Sequence, residues 1–156
     1  QNKSETEQAI SLGNAATLNT AYRTLRNPIQ RAEYLLSLEA GSVKDIRTSP
    51  PADLFEEILE LQDTLDEYRA ADRDAEASKR LHPVLQSEQR KLEERTKAIE
   101  TQLRQLFTQW DELQDRGEAT NESRSERERL LKEMRDLLSH RTYIGNIVRD
   151  LVATIE

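Results

Sequence analysis

Leu85, Leu92, Ile99, Leu106 and Leu113 fall seven residues apart, and that row restricts the possible folds of this chain more than any other feature. In an α-helix of about 3.6 residues per turn an apolar residue once per heptad stays on one side, whereas a strand would send successive members of the row to opposite faces. Leu103 and Trp110 fill the second core position of the last two heptads. The row predicts a coiled-coil-like seam of about 30 residues that a second helix must cover.

Composition points the same way. Four glycines, four prolines and 34% charged residues in a chain of 156 leave little material for turns between strands and much for long solvated helices. The expected class is all-α, and 35% hydrophobic residues suit long helices sharing narrow seams better than a thick globule.

Earlier in the chain, residues 6–26 read as a helix with apolar positions at Ile10, Leu18, Tyr22 and Leu25. Asn27-Pro28 ends it, and Pro28 suits the first turn of a second helix running to about residue 38. Gly41, Ser42, Ser49 and the pair Pro50-Pro51 give residues 41–51 the composition of a linker. The expected domains are therefore 1–40 and 52–156.

In the second of these, Leu54, Ile58, Leu61, Leu65 and Tyr68 recur at steps of four and three, one clean stripe for a helical bundle. Residues 69–80 read as a solvated helical extension or loop, with a fresh helix start at Pro83. Residues 117–125 break the heptad helix with small and polar side chains. The last helix is expected from about residue 125 to 155, with its stripe at Leu130, Met134, Leu137, Ile144, Val148, Leu151 and Ile155. Three antiparallel helices follow from these lengths and short connections.

Several function classes are disfavoured. Without cysteine there is no disulfide and no thiolate metal site, which is compatible with a reducing compartment. Neither an apolar run near 18 residues nor a signal-peptide pattern occurs, so the chain is expected to be soluble, without membrane contact. A net charge of −7 disfavours nucleic acid, since phosphate neutralisation needs a surplus of Lys and Arg. The glycines at 13, 41, 117 and 145 are isolated, so no phosphate-binding loop can be built. Neither His82 nor His140 has a carboxylate or second histidine at i+3 or i+4 that would complete a metal site. Carboxylate pairs such as Glu56-Glu57 and Glu93-Glu94 fall on solvated faces, without the burial that acid–base catalysis by a carboxyl needs. Neither enzyme activity nor a cofactor is expected.

Phe55 and Leu59 lie four apart beside the stripe that starts at Leu54, with acids around them at Glu56, Glu60, Asp63 and Glu67. A core stripe can widen to three positions in seven, which would bury the pair. An exposed apolar patch rimmed by acids is instead how a protein-binding hot spot looks. The pattern alone leaves both open.

Residues 17–38, TLNTAYRTLRNPIQRAEYLLSL, carry a resemblance. A helix with Asn19, Ala21, Tyr22, Thr24 and Leu25, ended by Pro28 and followed by the octet from Arg31 through Leu38, resembles the second half of the J-domain in the HscB family, the J-type co-chaperones of iron–sulfur cluster biogenesis. The resemblance implies a co-chaperone that binds the iron–sulfur scaffold protein and delivers it to a DnaK-type heat-shock chaperone, holding no cluster itself. It further implies that the first helix of the C-terminal domain grips the scaffold through Phe55 and Leu59, with Glu60, Asp63 and Glu67 as its acidic positions and Tyr143 as an aromatic contact from the last helix.

Two departures from the family pattern bear on these expectations. The His-Pro-Asp loop through which J-domains stimulate their chaperone is missing, so the J-domain is expected to be incomplete; His82-Pro83 does not replace it, because Val84 follows. The span from Arg69 to Arg129 exceeds that of bacterial members, which implies a longer helical pair and favours a mitochondrial matrix protein over one of the bacterial cytoplasm. The alternative reading is a coiled-coil tether in which the Leu85 row pairs with another chain. A monomer is expected on the first reading and a dimer on the second.

Overall fold

Side-chain caps decide where most of the helices begin. The computed structural model describes residues 4–40, 48–71, 74–117 and 120–156. Among them are five α-helices, one short 3-10 turn and no strand, so the chain is all-α. It divides into two units, residues 1–43 and 44–156.

In the first unit, Ser4 accepts from the Glu7 N–H while Glu7 returns a bond to the Ser4 N–H, and this reciprocal box starts helix α1, Glu5–Arg26. Asn27 closes α1 in an extended conformation. Its side-chain oxygen then accepts from the N–H groups of Ile29 and Gln30, at 2.9 and 3.1 Å, starting helix α2, Pro28–Ala40. One asparagine thus ends one helix and caps the next, and Pro28 occupies the first-turn position where its missing N–H costs nothing. The buried side chains Ile29, Ala32 and Leu36 lie on α2, while α1 buries none; Ile10, Leu18, Tyr22 and Leu25 are all more than half exposed.

The second unit is a three-helix bundle. A 3-10 turn, Ala52–Leu54, leads into α3, Phe55–Ala70, followed by α4, Ala75–Arg116, and α5, Asn121–Ile155. Asp53 pairs with Arg95 and Glu67 with Arg80, so α3 and α4 are antiparallel. Arg129 reaches Gln109 and Arg127 reaches Gln114, so α5 turns back along α4. At 1.5 Å per residue α4 is about 63 Å long and α3 about 24 Å. Consequently α3 covers only the first half of α4 and the last part of α5. Beyond it, α4 and α5 continue as an antiparallel hairpin.

Every member of the heptad row is buried, as are Leu103 and Trp110, and Leu81 and Phe107 join them. The interface between α4 and α5 is the largest in the unit. Leu54, Ile58, Leu61 and Leu65 bring the α3 stripe to the same core; Tyr68, at its end, is only half-buried.

Four expectations need correction. Pro83 does not start a helix: α4 begins eight residues earlier, where Asp74 accepts from the N–H groups of Glu76 and Ala77. Proline in a helix interior costs about 3 kcal/mol. Here burial of Leu81 and Leu85 on either side outweighs that cost, and the ring of Pro83 points to solvent. The break before α5 is shorter than its composition suggests. Gly117 ends α4 with a positive φ of 62°, and Thr120 with Ser123 forms a capping box that starts α5 at Asn121 rather than near residue 125.

The α5 stripe also differs. Leu138 and Ile147 are buried, whereas Leu137, Val148 and Ile155 are half-buried. The reason is that α5 meets α4 along its length and α3 only near its C-terminal end, so its buried arc turns and widens. Residues 41–47 of the expected linker lie outside the described residues. Its remainder belongs to the bundle, since Ser49 is bonded to Ser139 and Pro51 is buried.

Candidate functional site

The four buried residues of α3 and its lead-in set the helix's rotation, and the apolar pair falls off that stripe. Phe55 is 60% exposed and Leu59 57%. The row Phe55, Leu59, Gln62, Asp66 and Arg69 proceeds by four, three, four and three, so these residues share one flank of α3. Its last member identifies what borders that flank. The guanidinium of Arg69 donates to both carboxylate oxygens of Asp150 on α5, at 3.0 and 2.9 Å, and to the Thr154 hydroxyl at 3.2 Å. The Asp150 hydrogen bonds hold the Arg69 guanidinium above its ordinary range, although the pair stays open to solvent.

On α5 the facing flank runs Ser139, Tyr143, Ile147, Asp150 and Thr154, again at steps of four and three. Ser139 bonds Ser49 at one end of this row and Asp150 bonds Arg69 near the other. Tyr143 lies between those two ties, half-buried, next to the fully buried Ile144. The α3 flank with Phe55 and Leu59 and the α5 flank with Tyr143 therefore border one seam.

Glu60, Asp63 and Glu67 occupy the outward face of α3, and all three are exposed. They do not act alike. Glu67 accepts from Arg80 at 2.9 Å and so is turned toward the first turns of α4; Glu60 and Asp63 stay on the open side of the helix. The acidic face is thus strongest beside Leu59 and weaker toward the C-terminal end of α3. The groups brought to this side of the bundle are an apolar pair, a half-covered phenol ring and a flank of carboxylates.

Both polar ties across the seam are invisible in the sequence, because their partners are 81 and 90 positions apart and neither spacing carries a pattern. The histidines fall elsewhere. His82 stacks at a tilt on Tyr68, with ring centroids 6.3 Å apart, and His140 borders a crevice with Asp53 and Arg95. Among the described residues no group of three His, Asp or Glu is placed to hold a metal ion, and no helix is long and apolar enough to cross a membrane.

The chain is similar to the co-chaperone protein HscB of Proteus mirabilis (strain HI4320), with 39% identity over 66 residues, which are 42% of this chain and 38% of that protein. It is also similar to the co-chaperone protein HscB homolog of Neisseria meningitidis serogroup A, with 38% identity over 91 residues, 56% of this chain and 52% of that protein. The chain thus spans about half or less of the length of these curated relatives. No family model matches it, and no solved structure does.

Proposed function

We propose that this chain is part of an HscB-type co-chaperone and that the α3–α5 seam docks the iron–sulfur scaffold protein, which the co-chaperone presents to a DnaK-type heat-shock chaperone. The observation that carries the reading is the exposure of Phe55 and Leu59 on a helix whose other large aliphatic residues, Ile58, Leu61 and Leu65, are buried. Leaving two large apolar side chains in water beside an otherwise complete stripe has no packing rationale, and such a patch rimmed by charge marks protein recognition. Similarity to two proteins named as HscB co-chaperones supports a co-chaperone role, and the scaffold protein as partner follows from the resemblance carried by residues 17–38. In this reading Phe55, Leu59 and Tyr143 are the apolar anchors. Glu60, Asp63 and Glu67 steer a basic surface toward them, with Glu67 contributing least because Arg80 already neutralises it.

The tethering alternative has less support. A tether needs the heptad row of α4 free for another chain, and that row is already covered within this one. A monomer follows. Both relatives are bacterial, which favours the bacterial cytoplasm over the mitochondrial matrix.

Calorimetric titration of the iron–sulfur scaffold protein into the chain tests the proposal. Truncating an anchor at the centre of an interface typically costs about 2 kcal/mol or more. Phe55→Ala combined with Leu59→Ala is therefore expected to weaken binding by about two orders of magnitude or more, with helicity unchanged by circular dichroism. Unchanged affinity would refute the assignment.

A further inference from the structure

Ser139 is the one buried polar side chain among the described residues, 5% exposed. It meets a residue 90 positions earlier: the Ser49 backbone N–H donates to the Ser139 hydroxyl at 3.0 Å, and the two hydroxyls lie 3.3 Å apart. Little slack follows this clasp. Pro51 is buried against the crevice that Ile144 also lines, and the chain then enters the 3-10 turn and α3 directly. On the α4 side the same lead-in is held by the Asp53–Arg95 pair.

The direct interface between α3 and α5 is small, so the spacing of these helices depends on the polar ties at the two ends of α3. The Arg69–Asp150 tie is exposed and weakened by salt. The Ser49–Ser139 clasp is more sheltered, and removing its acceptor leaves a backbone N–H without that partner. It is also the tie nearer the candidate face in the chain, since Ser139 precedes Tyr143 by one helical turn and Ser49 precedes Phe55 by six residues, against ten from Leu59 to Arg69. We infer that Ser139 is a positioning residue: by holding residues 48–51 against α5 it sets the distance and register between the Phe55–Leu59 pair and Tyr143. The inference rests on the docking face proposed above.

A distance measurement separates the two claims. The chain has no native cysteine, so Glu56→Cys and Asn146→Cys, both at exposed helical positions, accept nitroxide labels that report the α3–α5 separation by pulsed electron resonance without any partner. Ser139→Ala is expected to broaden the distance distribution and to weaken binding of the iron–sulfur scaffold protein about fivefold or more. Ser139→Thr, which keeps the hydroxyl, should restore both readouts. Should Ser139→Ala misfold, Ser49→Pro removes the donor from the other side, leaves α5 untouched and is expected to broaden the distribution equally. A distribution that stays narrow in Ser139→Ala or Ser49→Pro overturns the inference, as does a broadened one with unchanged affinity in a chain whose Phe55→Ala, Leu59→Ala variant has lost binding. If that double variant binds normally, the docking face itself is wrong, and the distances still decide whether Ser139 sets the seam.

Discussion

Leu59 and Leu65 sit six residues apart on one helix, and truncating each separately weighs surface against core directly. Leu65 is fully buried and Leu59 is 57% exposed. Leu65→Ala removes the transfer free energy of a buried side chain and leaves a cavity, together about 3 kcal/mol. Leu59→Ala forfeits less than half of the transfer contribution and encloses no cavity, so its cost is about 0.5 kcal/mol. For a cooperative unit near the size of residues 44–156, 1 kcal/mol shifts Tm by about 4 °C. Leu65→Ala should therefore lower Tm by about 12 °C and Leu59→Ala by about 2 °C. Thermal melts followed by far-ultraviolet circular dichroism provide the assay, with Trp110 fluorescence as a second probe of the same transition. Losses of similar size for the two variants would place Leu59 in the core, and the docking face would lose one of its anchors.

Gly145 lies within α5 with nothing inside 4 Å of where a Cβ would stand, so Gly145→Ala should stabilise the bundle by about 0.5–1 kcal/mol, read as a rise in denaturant midpoint. Gly117→Ala should do the opposite, losing about 1 kcal/mol, because φ at this position is 62°. Amide exchange should be much faster in α1, which buries no side chain, than around Ile58, Leu61 and Leu65; equal protection would contradict the burial pattern. Hydrogen bonds from Arg129 hold the Glu126 carboxyl below its ordinary value. A carboxyl depressed in the folded state contributes stability above its unfolded pKa and loses it as pH falls through the folded one. The Tm difference between the parent and Glu126→Gln should accordingly be present at neutral pH and shrink in acid, and a difference independent of pH would refute the pairing.

Local patterns in the chain set the class and most of the core. A heptad row is a local signal, because 3.6-residue periodicity puts Leu85, Leu92, Ile99, Leu106 and Leu113 on one side of whatever helix they form, and all are buried. The break at Asn27-Pro28 was equally legible, since proline geometry acts on the residue beside it, whereas the cap that Asn27 supplies to α2 is seen only in the structure. Tertiary structure decided what depends on a neighbour. Pro83 lies inside α4 because burial of Leu81 and Leu85 outweighs a local preference. The arc of α5 turned toward Leu138 and Ile147 because two helices meet it near one end. Periodicity could place Phe55 and Leu59 beside the stripe, yet whether they entered the core depended on how far the core against α4 and α5 extends around α3, and it ends at Leu54, Ile58, Leu61 and Leu65. The ties that hold that seam, Ser49 to Ser139 and Arg69 to Asp150, join residues 90 and 81 positions apart. No local rule links such pairs; only packing of the three helices brings them within hydrogen-bonding distance.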